Sequence, residues 1–141
     1  MLELDRFTPY LVNRLASRLS DELAEVYAAR FGISIPEWRV IAHLSQHRNI
    51  SVREIHALTA MDKSKVSRAV ARLDSAGLVE KKVSGVDRRL VELRLTRKGR
   101  QMFEQIDPLA LAYERDALSA LSPDEERQFR ALVDKLLAPR G

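Results

Sequence analysis

The chain has 141 residues, 45% of them hydrophobic, with 24 Lys and Arg against 20 Asp and Glu, for a net charge of +4. That length fits one domain, or one domain with an appended oligomerisation layer, and is enough to bury a core. With no cysteine, a disulfide framework, a thiolate zinc site and a thiol redox switch are excluded. The acidic start Met1-Leu2-Glu3-Leu4-Asp5-Arg6 is unlike a signal peptide and no apolar run is long enough to span a bilayer, so a cytoplasmic protein with no membrane partner is expected.

In chain order, Leu4, Phe7, Leu11, Leu15, Leu19, Leu23 and Val26 recur at three- and four-residue steps and predict a long first helix, with Thr8-Pro9 as cap and first helical position and Gly32 as its stop. Ser34-Ile35-Pro36-Glu37 has the form of a capping box and starts a second helix, carrying Trp38, Ile41 and Leu44 inward until about His47. A second capping box, Ser51-Val52-Arg53-Glu54, opens a short third helix with Val52, Ile55 and Leu58 expected on its buried face. After a tight turn near Met61, Asp62 caps a fourth helix over residues 63–75. It places Val66, Val70 and Leu73 on one side and Ser64, Lys65, Ser67, Arg68 and Arg72 on the other.

Gly77 ends that helix, and two β-rich segments follow at residues 78–83 and 90–96, with residues 84–89 as the hairpin tip. Thr96 caps a fifth helix bearing Met102, Phe103, Ile106, Leu109 and Tyr113, which Pro108 should kink or briefly break. Ser122-Pro123-Asp124-Glu125 starts the last helix, with Phe129, Leu132, Val133 and Leu136 inward. The expected fold is mainly α, in the order α-α-α-α-β-β-α-α. A winged helix-turn-helix lobe at residues 33–99 lies between terminal helices at 1–31 and 100–141, all in a single domain 1–141. Apolar stripes that long at both ends need a partner, and a symmetric homodimer is the economical one.

The positive charge is concentrated. Residues 63–100 hold twelve Lys and Arg against four acids, a net +8, so the rest of the chain sums to −4. A helix-turn-helix with such a patch points to double-stranded DNA, whose condensed counterions are released on binding. Nothing supports catalysis: there is no Gly-rich phosphate loop, thiol nucleophile or glycine-flanked Ser elbow, and no cofactor is expected. His43 and His47 have the i, i+4 spacing of metal ligands, but His56 is the only other imidazole and there is no cysteine to complete a sphere, so no metal site is expected.

Four segments together resemble the MarR family of bacterial transcriptional regulators. They are Ile35-Pro36-Glu37-Trp38-Arg39-Val40-Ile41, Met61-Asp62-Lys63-Ser64-Lys65-Val66-Ser67-Arg68, Gly77-Leu78-Val79-Glu80-Lys81, and Asp87-Arg88-Arg89 followed by Leu93-Arg94-Leu95-Thr96-Arg97-Lys98-Gly99. The resemblance covers nearly the whole chain and implies a triangular homodimer with interlocked terminal helices, binding a pseudo-palindromic operator. It implies a recognition helix in the major groove and a wing tip in the minor groove. It also implies a repressor that a small aromatic or lipophilic acid releases from DNA.

The expected DNA contacts are Ser64, Lys65, Ser67, Arg68 and Arg72 on the recognition helix, where short hydroxyls and a guanidinium reach base edges and phosphates. On the wing, Asp87 and Arg89 match the family's Asp-x-Arg pattern. There the arginine enters the minor groove, drawn by its negative potential, and the aspartate holds the wing in shape; Lys81, Lys82 and Arg88 are cast as phosphate contacts. Tyr10, Arg14, Trp38 and His43, with Arg18, are candidates for an effector site, because an arginine beside aromatics suits an aromatic carboxylate. Two alternatives stay open: an architectural or activating DNA binder without an effector, and a protein-interaction module that uses the winged helix as a docking surface.

Overall fold

The computed structural model describes residues 1–83, 85–87 and 89–141. Its elements are α1 (Thr8–Phe31), α2 (Ile35–Gln46), β1 (Ile50–Ser51), α3 (Val52–Thr59), α4 (Lys63–Ser75), β2 (Val79–Val83), β3 (Val91–Leu95), α5 (Arg97–Ala117) and α6 (Pro123–Leu137), with a 3-10 turn at Leu4–Arg6 before α1. The fold is a mainly helical winged helix-turn-helix with terminal helices. The sheet and the start of α1 differ from expectation. The sheet has three strands in the order β1-β3-β2, all antiparallel, because Ile50 and Ser51 pair with Leu93 and Glu92; two residues are too few to show a period-2 pattern. The chain also enters α1 through Phe7 as N-cap, with Thr8 and Pro9 already inside the helix and no side-chain cap.

The other boundaries follow their local chemistry. Ser34, Ser51 and Ser122 each form a complete capping box with Glu37, Glu54 and Glu125, and Asp62 accepts from the Lys65 amide at 2.8 Å. Each such cap is worth about 1 kcal/mol. At the end of α4 the Leu78 amide donates to Leu73 O and the Gly77 amide to Asp74 O, a Schellman closure that needs the left-handed φ of +73° that Gly77 supplies. α5 runs unbroken through Pro108, so of the kink or brief break expected there the break does not occur.

The core is a single cluster in which α2, α3 and α4 pack on the sheet and on α5: Val40, Ile41, Leu44, Ile55, Val66, Leu73, Leu93 and Ile106 are almost completely buried. In α3 Ile55 and Thr59 are buried, while Leu58 stays half exposed at 52%. Val52 packs half-buried against the core and Ile55 is fully buried, so Leu58 alone departs from the expected 52/55/58 face. The terminal helices contrast with this lobe. Tyr27 is the buried residue of α1, and α6 has none. Phe129, Leu132, Val133 and Leu136, expected inward, are exposed, as are Phe7, Leu11 and Leu15, because no further element of the same chain covers them. No described helix is long and apolar enough to cross a membrane.

Candidate nucleic-acid interface

α4 begins on a carboxylate hub. Asp62 Oδ1 accepts from the Lys65 amide and from Ser64 Oγ, both at 2.8 Å. The Lys65 amide, then the Ser64 hydroxyl, with the charges of Lys65 and Arg68 further off, hold the Asp62 carboxyl below its ordinary value. Because the Ser64 proton is spent on Asp62, that side chain presents acceptor lone pairs outward, the complement of an amino group on adenine or cytosine. Lys63, Lys65, Ser67 and Arg68 stand exposed on the same helix, which buries Val66, Ala69, Val70 and Leu73 against the core.

Arg72 has a different position. Its Nε donates to Glu37 Oε1 at 2.7 Å, and Glu37 is 7% exposed. This predicted DNA contact is therefore paired with a buried carboxylate of α2, while its own side chain stays 55% exposed. Lys81 pairs with Asp74 at 3.9 Å, whereas Lys82 is exposed opposite Glu92 in the hairpin register.

At the wing, Asp87 accepts from the Arg89 amide at 3.0 Å, from Arg89 Nε at 3.1 Å and from its terminal nitrogen at 3.2 Å. Those bonds, with the charge of Arg53 further off, hold the Asp87 carboxyl below its ordinary value. The fork restrains the Arg89 guanidinium while leaving it 88% exposed at the tip. Arg88, a predicted phosphate contact, lies outside the described residues.

Three residues join this surface that the sequence reading did not assign to it. Arg53, His56 and Lys63 line, with Arg89, a cleft of about 470 Å³ between the start of α3, the start of α4 and the base of the wing. His56 Nδ1 faces Met61 O at 2.9 Å, and since a carbonyl can only accept, the proton sits on Nδ1. The signal was present in the sequence for Arg53, which lies about 160° round the helix from the inward Ile55; His56, about 100° round, is half-buried at the edge of that face.

The expected effector residues do not converge. Trp38 is stacked between Tyr27 at 5.4 Å and Phe103 at 6.0 Å, and it lines a cavity of about 550 Å³ between α1, α2, α5 and α6. Tyr10 and Arg14 lie on the exposed first half of α1, with the guanidinium 5.8 Å from the Tyr10 ring centroid, and neither lines that cavity. Arg18 pairs with Glu22 at 3.2 Å, and Glu22 accepts from Tyr113 Oη at 2.8 Å. His43 is half-buried off the cavity, and its burial, then the charge of His47, lowers its pKa. The cation among the described lining residues is Arg130, which is itself held by Glu126 at 2.9 Å and Glu114 at 3.5 Å. No group of three or more potential metal ligands occurs among the described residues.

Comparison with known proteins agrees with this geometry. A family model described as "MarR family" matches residues 31–90. The HTH-type transcriptional regulator BilQ of Clostridium symbiosum is 30% identical over 105 residues, 74% of this chain and 73% of that protein. Among solved structures, a MarR/EmrR family transcriptional regulator from Acinetobacter sp. ADP1 aligns with a TM-score of 0.86 at 30% identity, covering 96% of this chain and 95% of the other. A structure of Bordetella bronchiseptica BpsR, concerned with regulation of its DNA binding by 6-hydroxynicotinic acid, shares the fold with a TM-score of 0.87 at 21% identity, covering 99% of each chain.

Proposed function

This chain belongs to the MarR family and is a DNA-binding transcriptional regulator rather than an enzyme, and from that premise we propose that it is a homodimeric repressor of a pseudo-palindromic operator, released by a small aromatic or lipophilic ligand. The observation that carries the DNA-binding surface is the cleft where the cationic starts of α3 and α4 meet the wing. A phosphodiester seated beside Arg53, Lys63 and Arg89 would set α4 and the wing tip into adjacent grooves. Ser64, Lys65, Ser67 and Arg68 then face the major groove and Arg89 the minor groove, with Lys82 on the backbone. The apolar faces of α1 and α6 supply the dimer contact.

For the effector, the space between Trp38 and Phe103 suits a flat ring, and BpsR is a relative in fold whose DNA binding responds to an aromatic acid. The carboxylate partner proposed here is Arg130 and not Arg14, because Arg130 reaches the cavity. An acid would have to draw it from Glu114 and Glu126. A ligand that binds the DNA-incompetent state about 1–3 kcal/mol better is sufficient for release.

The test is selection of bound duplexes from a random library, followed by Arg68→Ala and Arg89→Ala. Dyad-symmetric sites with half-sites about 10 base pairs apart are expected. Arg68→Ala should relax base choice at one position per half-site, and Arg89→Ala should weaken sites with a narrow minor groove most. Sites without symmetry, or uniform losses for both variants, would refute the assignment. A panel of benzoates and hydroxycinnamates in a DNA-displacement assay tests the effector; indifference to all of them sinks that part alone.

A further inference from the structure

We propose that Arg72 is a positioning residue: it acts on operator affinity by bracing the recognition helix against the first turn of α2 through Glu37, and it does not touch DNA. The proposal rests on the DNA-binding reading and concerns how α4 is held.

Both oxygens of the Glu37 carboxylate are occupied. Oε2 accepts from the Ser34 amide at 2.9 Å, closing the capping box of α2, and Oε1 accepts from Arg72 Nε at 2.7 Å. The Glu37 side chain is 9% exposed, which shields its oxygens, whereas the Arg72 side chain is 55% exposed, so it is the carboxylate end of the bond that is withdrawn from water. Arg72 lies one and two turns beyond Arg68 and Lys65 along α4, roughly 80° round the axis from Ser64. It thus shares a side of the helix with Lys65 and Arg68, about 20° and 40° from them, and its bond to Glu37 rather than its azimuth sets it apart from those two. α2 and α4 otherwise meet through apolar side chains, including Val40, Leu44, Val70 and Leu73. A charge-assisted bond to a capped helix terminus has a defined direction and adds to the azimuth that the interdigitated apolar side chains already set. A recognition helix must hold its azimuth to keep Ser64, Ser67 and Arg68 on base edges, and the Glu37–Arg72 bond adds to that restraint. The residue after Glu37 is Trp38, the stacked wall of the interhelical cavity, so the brace is anchored in the same helical turn that faces the cavity.

The two roles open to Arg72 differ in the salt slope, in the effect on random duplex and in the sign at Glu37→Gln. If it contacted phosphate, Arg72→Ala would lower affinity for every duplex and flatten the dependence of log Kd on log salt by close to one unit. Glu37→Gln, which removes a negative charge, would leave binding unchanged or tighten it. As a brace, both variants weaken binding together. The experiment measures Kd by fluorescence anisotropy across a salt series, using the duplex selected by the wild-type protein and a random-sequence duplex. The proteins are wild type, Arg72→Ala, Glu37→Gln and the double variant, each normalised to its folded fraction by circular dichroism. Expected are losses of about tenfold on the selected duplex for either single variant, with no further loss in the double. Affinity for random duplex and the salt slope should stay as in wild type.

A flattened slope with equal loss on random duplex overturns the proposal, as does full affinity of either folded single variant. If Arg72→Ala is unfolded at the assay temperature, Arg72→Lys takes its place. A lysine keeps a phosphate contact but lacks the Nε donor geometry, so the brace predicts a several-fold specific loss and the contact predicts none. A wild-type protein that fails to prefer its selected duplex would instead refute the DNA-binding reading itself.

Discussion

Replacing Gly99 by Ala isolates the joint between α5 and the wing. Gly99 sits in the first turn of α5, directly against the backbone of Leu78 where β2 begins. A Cβ there would stand 3.0 Å from the Leu78 carbonyl carbon and 3.2 Å from Leu95 Cδ2, with the Leu78 carbonyl oxygen nearer still. Since the obstacle is backbone, α5 and the strand must part by about 1 Å to regain ordinary contact. That strains the bond from the Thr96 amide to Leu78 O, now 3.1 Å, and the packing of Leu95. Overpacking of this kind costs about 1–3 kcal/mol, and a weakened backbone bond adds about 1 kcal/mol. Helix propensity works in the opposite direction, favouring Ala by about 1 kcal/mol. The expected net is a loss of about 2 kcal/mol, a fall of about 6 °C in Tm for a chain of this size. Urea unfolding at fixed protein concentration measures it. A neutral or stabilised Gly99→Ala protein, as propensity alone would give, would refute the argument that close backbone approach selects glycine here.

Leu132→Glu places a charge in the exposed apolar stripe of α6 and should convert dimer to monomer in sedimentation at micromolar concentration while the winged lobe stays folded; an unchanged dimer would move the interface elsewhere. Asp87→Ala releases the Arg89 fork and should cost nearly as much operator affinity as Arg89→Ala, read by anisotropy. Burial, and then the bond to Glu22, push the Tyr113 phenol up to about 12 from 10.0. A raised folded-state value means that this stability is complete below pH 10 and is lost as the pH climbs towards 12. Tyr113→Phe should therefore reduce the alkaline fall of the urea midpoint in that window, and an identical fall would show that the phenol plays no part.

Five helix starts were legible in the sequence from a short polar side chain, since Ser34, Ser51, Asp62, Thr96 and Ser122 all cap as their spacing implied, whereas Thr8 does not cap α1. β1 was not, because its pairing with β3 is a tertiary contact with no local pattern. The recognition helix and wing were legible from charge, yet charge could not separate Arg68 from Arg72. The two differ by one turn in sequence, and only the approach of Glu37, 35 residues earlier, marks Arg72 as engaged. The lining of the interhelical cavity was the least legible. Trp38 reaches the cavity because it is stacked between rings from α1 and α5, whereas Arg14 was chosen by composition and the helix carries it to an outer face.

The absence of buried residues on α6, and of any before Tyr27 on α1, bears on how much regulator a cell must make. If a second copy covers those faces, the binding species forms in proportion to the square of the chain concentration below the dimer constant. Promoter occupancy would then respond steeply to small changes in synthesis, a threshold that needs no effector. The same faces on an unpaired chain would be sticky and open to proteolysis, so surplus monomer would be cleared while assembled regulator persists.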